Sequence, residues 1–174
     1  MTIDTQISKQ VLEEELFQLL EDVYDPEIPV LSIIDLGIVK NVEVSINNDK
    51  SKTATLTITP TYSGCPAMDV IAFSIRTTLV QHGYQVVIKQ QLSPAWTTDW
   101  MTPAGKDKLK AYGIAPPQLN HKRLDKLFEE SEPVICPRCN STNTNIISEF
   151  GSTACKALHR CLDCKEPFDH FKCH

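Results

Sequence analysis

Apolar residues along the first half of the chain recur at two spacings. Between Ser8 and Val23, Leu12, Leu16, Leu19, Leu20 and Val23 fall on one helical face. Glu13, Glu14 and Glu15 put acid into its early turns, where the helix dipole favours it. Asp25-Pro26-Glu27-Ile28-Pro29 should end this helix, because two prolines impose a rigid extended turn. Ile38 to Ile46 interleaves Val39, Val42 and Val44 with polar residues and reads as a strand. Asn47-Asn48-Asp49-Lys50 is a hairpin signal, and Thr53 to Thr59 is the return strand. A second helical stripe follows in Met68, Ile71, Ala72, Ile75 and Leu79, with Gly83 as its stop. Tyr84 to Leu92 reads as a third strand. The order is helix, strand, strand, helix, strand. Strands one and two should pair antiparallel, and the strand–helix–strand part should be a right-handed crossover between parallel strands. The predicted fold is α+β: a small mixed three-stranded sheet with helices on one face.

Beyond the sheet, Trp96 and Trp100 stand close together in a polar stretch. Two tryptophans there suit a lid over a pocket, a core plug or an interface. Thr102 to Gly113 reads as a short helix with Thr102 as N-cap, Pro103 at its first position and Gly113 as its stop. Its lysines, Lys106, Lys108 and Lys110, read as a solvated face. Ile114-Ala115-Pro116-Pro117 is a stiff linker, and His121 to Glu130 carries the pattern of one more helix. The expected division is a domain over 1–115, a linker and helix over 116–133, and a terminal module over 134–174.

Composition narrows the function class. The 174 residues are 41% hydrophobic with a net charge of −5, which supports a packed core and argues against nucleic-acid binding. The opening residues lack a basic-then-apolar signal pattern, and no apolar run approaches a membrane span. The cytoplasm is therefore the expected compartment, and the seven cysteines are expected to be metal or redox ligands. Six of them follow residue 135.

The exception is Cys65, in Thr59-Pro60-Thr61-Tyr62-Ser63-Gly64-Cys65-Pro66, where the second strand hands over to the second helix. Pro66 suits the first helical position. Cys65 then lies by free backbone N–H groups and the positive dipole end, so its thiol is expected to ionise easily. The plainer reading is a buried cysteine that fills space. Asp25, Glu27 and Asp35 are candidate acid–base or metal carboxylates, although such residues more often cap turns.

The strongest chemical signal is at the end of the chain. Cys136-Pro137-Arg138-Cys139 and Cys161-Leu162-Asp163-Cys164 are two C-x-x-C pairs with 21 residues between them. Each pair can make a turn offering two thiolates, and together they complete a tetrahedral four-sulfur site. A structural Zn²⁺ is expected, with Fe in a rubredoxin-like site as the rival. Thr144 to His159 leaves room for a hairpin of the zinc-ribbon type. Cys155 and Cys173 remain as candidate extra ligands, while His159 and His170 read as packed or solvated.

Three blocks carry a family resemblance: Asp25-Pro26-Glu27-Ile28-Pro29, Asp35-Leu36-Gly37-Ile38-Val39 and Thr59 to Pro66. They resemble the metal–sulfur cluster assembly family that includes SufT-like proteins. The extended Thr61 to Met68 form, Ser93-Pro94-Ala95-Trp96-Thr97-Thr98-Asp99-Trp100, Gly105-Lys106 and the ending Phe168 to His174 resemble its PaaD branch, associated with bacterial phenylacetyl-CoA epoxidase. The resemblance implies an accessory subunit in phenylacetate catabolism, not an enzyme. Its job would be to assist iron–sulfur or di-iron centre assembly through Cys65, with Zn in the tail and a transient Fe–S cluster or Fe as cargo. The implied partners are the reductase and the di-iron oxygenase of the epoxidase, with a homodimer as a further expectation. One sulfur per chain is short of the four ligands a [2Fe–2S] cluster usually takes, which would suit transfer rather than storage. An adaptor that carries no iron is the alternative. Neither the Glu-x-x-His pair of di-iron bundles nor a Gly-rich dinucleotide loop is present.

Overall fold

The computed structural model describes residues 3–117 and 133–172. The chain forms two compact units: Met1–Trp96 with Trp100–Thr102, and Thr97–Asp99 with Pro103–His174.

In the first unit the elements are α1 (Ile3–Glu21), β1 (Val39–Ile46), β2 (Lys52–Ile58), α2 (Ala67–Gln81) and β3 (Tyr84–Gln90). β1 pairs antiparallel with β2, and β2 pairs parallel with β3. The register aligns Val42 with Leu56 and Leu56 with Ile88, and Val44 with Ala54 and Ala54 with Val86. Strand side chains alternate between faces, so these rows build one apolar face. α1 covers β1 and α2 covers β3, and the two helices touch. Leu16 and Leu20 from α1, Ile71, Ile75 and Leu79 from α2 and Leu56 from β2 are all buried. Each such side chain contributes roughly 1.5–3 kcal/mol.

α1 starts earlier than its apolar stripe suggests. The segment after it also does more than turn the chain. Val23, Ile28, Leu31, Ile33, Leu36 and Ile38 are buried in it, and Asp25 and Ile33 bond backbone to backbone with Leu31 and Val23. Gly37 has φ +63°, as its place before β1 requires. Trp96 is a core plug rather than a lid: it is buried and its Nε1–H donates to the Leu36 carbonyl at 2.9 Å. Trp100 is half-buried, with the Lys40 Nζ 3.0 Å from its ring centroid.

The second unit contains the short 3₁₀ turn Thr98–Trp100 in part, α3 (Pro103–Tyr112), β4 (Thr144–Ser148), β5 (Lys156–Cys161) and β6 (Pro167–Phe171). α3 closes at Gly113, whose φ is +93°. β4, β5 and β6 form an antiparallel sheet in that order. The hairpin agrees with the sequence reading, whereas β6 has no sequence signal beyond the pair Phe168 and Phe171. Ala115 bridges to His170, so the supposed linker lies along β6. The helix expected over 121–130 lies outside the described residues, as do Cys173 and His174. No described helix is long and apolar enough to cross a membrane.

Candidate metal-handling sites

Cys65 sits in the turn between β2 and α2. Its N–H donates to the Tyr62 carbonyl at 3.3 Å, and its own carbonyl accepts the Met68 N–H at 3.3 Å. Gly64 has φ +78°, and a side chain there would meet nothing within 4 Å, so that side of the turn is open. Pro66 takes the N-cap position with no side-chain cap bond, and the helix starts at Ala67, one residue later than expected. The sulfur is half-buried. It accepts the Ala67 N–H and the Tyr62 hydroxyl, and the carboxylates of Glu27 and Asp25 act on it electrostatically.

These surroundings overturn the expectation of an easily ionised thiol. Burial is the largest influence and raises the Cys65 pKa above its usual value; Glu27 and Asp25 push the same way. Ala67 and Tyr62 oppose them without prevailing. The reason is local. Pro66 brings no N–H to the helix end, and a dipole contribution of about 0.3–1 kcal/mol is modest against desolvation plus two acids.

Each of the three candidate carboxylates has a defined place. Asp25 Oδ1 accepts the N–H groups of Glu27 and Ile28 at 2.7 and 2.8 Å, a turn-capping role. Asp35 Oδ2 accepts the Ser32 N–H and hydroxyl, both at 3.1 Å, and its Oδ1 accepts the Thr102 hydroxyl at 3.1 Å. Asp35 is thus a brace within the fold. Asp25 and Glu27 alone among the three act on the thiol. Tyr62 is a site residue that sequence reasoning misses; only its place in the block before Cys65 could flag it.

The four cysteines of the tail converge. The sulfurs of Cys136, Cys139, Cys161 and Cys164 all lie within 4.8 Å of one another. Cys136 Sγ is 3.8 Å from Cys164 Sγ, and Cys139 Sγ is 3.5 Å from Cys161 Sγ. Tetrahedral Zn–S bonds of about 2.3 Å separate sulfurs by about 3.8 Å, so this donor set fits Zn²⁺. The two turns are built alike. The residue after each pair, Asn140 and Lys165, has a left-handed φ of 60° and 66° respectively. Asp163 ties the turns together: it accepts the Ser141 hydroxyl, and its Oδ1 accepts Asn143 Nδ2 at 2.8 Å. The N–H of Cys164, then that of Asp163, draw the Cys161 thiol down to about 6. Cys136, Cys161 and Phe168 pack with Ala115, so the module's small core is assembled around its ligands. Cys155 is buried and contacts the Thr153 hydroxyl at 3.0 Å, apart from the four-sulfur set. His159 and His170 are packed: their rings meet edge to face at 5.4 Å, and His159 stacks on Phe168 at 5.7 Å.

Two family profiles match these two regions. Residues 13–86 match one described as "Iron-sulfur cluster assembly protein", and residues 120–172 match the "PaaD zinc beta ribbon domain". An Escherichia coli (strain K12) protein, named as the D component of a "Putative 1,2-phenylacetyl-CoA epoxidase", is 51% identical over 162 residues, 91% of this chain and 92% of that protein. The chain belongs to the PaaD family. The resemblance read from the sequence is thereby shown, and so is the α+β fold with its four-cysteine tail. A Porphyromonas gingivalis "Fe-S protein maturation auxiliary factor" is 37% identical over 92 residues, 52% of this chain and 83% of that protein. The crystal structure of a domain of unknown function, DUF59, from Bacillus anthracis superposes with a TM-score of 0.54 at 29% identity, covering 60% of this chain and 96% of that one.

Proposed function

We propose that this chain is a cytoplasmic accessory subunit, not an enzyme, that assists maturation of a phenylacetyl-CoA epoxidase. The cargo is an iron–sulfur cluster or iron destined for the reductase or the di-iron oxygenase. The observation that carries the reading is Cys65: a half-exposed sulfur at an open turn, within electrostatic reach of Glu27 and Asp25. A thiol held protonated by burial, with two acids pushing the same way, is a poor free nucleophile, which speaks against a thiol enzyme. The same carboxylates favour a cation beside the sulfur. As an S–Fe bond forms the thiol gives up its proton. On transfer that bond breaks, the Cys65 sulfur takes a proton back, and a client ligand, a deprotonated cysteine of the reductase or a carboxylate or imidazole of the oxygenase, takes the iron with no change of oxidation state.

The tail holds a resident ion through Cys136, Cys139, Cys161 and Cys164. Bound there, Zn²⁺ supplies structure and, with four sulfurs around it, no open position for chemistry. The module's core is small, so its folding is coupled to that ion.

The test is epoxidase maturation in cells expressing Cys65→Ser in place of the wild type. Loss of epoxidase activity with normal amounts of folded variant supports the reading, and full activity sinks it. A second reading, an adaptor that carries no iron, draws support from the raised Cys65 pKa; it predicts full activity for the same variant.

A further inference from the structure

We infer that the outward face of α2 is a docking surface for an apolar, basic segment of a client protein. α2 buries Ala67, Met68, Ile71, Ile75 and Leu79. The opposite face of a surface helix is normally polar. Here it presents Pro66, Val70, Phe73, Thr77 and Val80, successive positions along one stripe with no charge among them. Phe73 is 70% exposed, Val80 59% and Val70 50%. The one hydroxyl in the stripe, on Thr77, donates to the Phe73 carbonyl at 3.0 Å. Nothing in the fold of this unit accounts for an aromatic side chain held out in water, and contiguous exposed apolar patches of a few hundred Å² mark contact sites.

Two observations choose the occupant. The stripe begins at Pro66, so a segment lying along it ends at Cys65; the inference in this respect rests on the proposed role of that thiol. The second is charge. Asp69 is exposed in the first turn of α2 and has no ion pair among the described residues, and Glu27 and Asp25 act electrostatically on the sulfur. Arg76, the only basic residue of α2, reaches the Val86 carbonyl at 3.3 Å. Residues 1–102 carry thirteen acidic side chains against six basic ones. Two copies laid stripe to stripe with their Cys65 ends together would oppose like carboxylates. A single helix face is also small beside the roughly 800 Å² per partner of a stable complex. A transient partner that pairs apolar anchors with lysines or arginines near the thiol fits both facts.

The test uses the full-length, zinc-loaded protein with a photo-crosslinking amino acid at Val70, mixed with each purified phenylacetyl-CoA epoxidase component in turn. The expected result is a crosslink into an apolar stretch flanked by Lys or Arg. Phe73→Ser and Val80→Asp should each weaken that complex at least tenfold with unchanged unfolding midpoints, and added salt should weaken it too. Cys65→Ser should bind as the wild type does. Crosslinking between two copies of this chain, capture of no component, or binding unaffected by both stripe variants would overturn the inference. If the stripe variants lose binding while Cys65→Ser still matures the client, docking stands and the thiol's proposed role falls.

Discussion

Gly37→Ala is the most informative single change to the first unit. Gly37 has φ +63°, where a side chain costs about 1–2 kcal/mol. A Cβ there would also stand 2.0 Å from the Trp100 carbonyl oxygen and 2.7 Å from its carbon. Both are backbone atoms, so the Trp100 segment must retreat by more than an ångström. That retreat strains the Thr102 N–H bond to the Asp35 carbonyl, 2.9 Å long, and the Lys40 contact on the Trp100 ring. These are worth about 1 kcal/mol and about 0.5–1 kcal/mol. The total cost is about 2.5–4 kcal/mol. Gly64→Ala is the matched control: its φ is +78° but nothing stands within 4 Å, so only the backbone cost of about 1–2 kcal/mol applies. Trp96 and Trp100 are the chain's two tryptophans and both belong to the first unit. Urea unfolding followed by tryptophan fluorescence therefore reports that unit. At a slope of roughly 2 kcal/mol/M, Gly37→Ala should lower the midpoint by about 1.2–2 M. A midpoint no lower than that of Gly64→Ala would refute the clash.

Three further outcomes are expected. A strong chelator should abolish the strand signal of the tail in circular dichroism and leave tryptophan fluorescence unchanged; added Zn²⁺ should restore the signal. Because burial and two carboxylates raise the Cys65 pKa, its alkylation rate, followed by mass spectrometry, should still be climbing above pH 9, and Glu27→Gln should shift that curve to lower pH. Burial, the neighbouring His159 and Lys172 hold His170 down to about 4. An unfolded histidine titrates near 6.5, so this contribution to stability is complete above pH 6.5 and is lost as the pH falls towards 4. The loss amounts to at most about 3 kcal/mol, and His170→Leu should be less acid-sensitive than the wild type when calorimetric midpoints at pH 7 and pH 5 are compared.

The features legible in the sequence are local ones. The C-x-x-C pairs carry their chemistry in four residues each, and Asn140 tolerates its left-handed backbone much as glycine does. The two helical stripes and the Asn47 to Lys50 turn likewise act over neighbours. The illegible parts depend on residues far apart. Ile28, Leu31, Ile33, Leu36 and Ile38 have no common period, so a segment that supplies much of the core looks like a loop opened by two prolines. β6 begins at Pro167 and is defined by its pairing with β5. The pKa of Cys65 is misleading in the sequence because burial, its main cause, depends on the folded surroundings, and Glu27 and Asp25 stand some forty residues upstream, while the turn alone suggests only a helpful dipole.

The central claim is that Cys65 handles the cargo while the four-cysteine tail does not. Its most direct test is anaerobic metal transfer. Wild type and Cys65→Ser, each loaded with one zinc per chain, are reconstituted with iron and sulfide, mixed with apo-reductase or apo-oxygenase, and the iron on the separated client is measured. The account predicts equal zinc on both proteins and iron delivery by the wild type alone. Equal delivery by Cys65→Ser would contradict it.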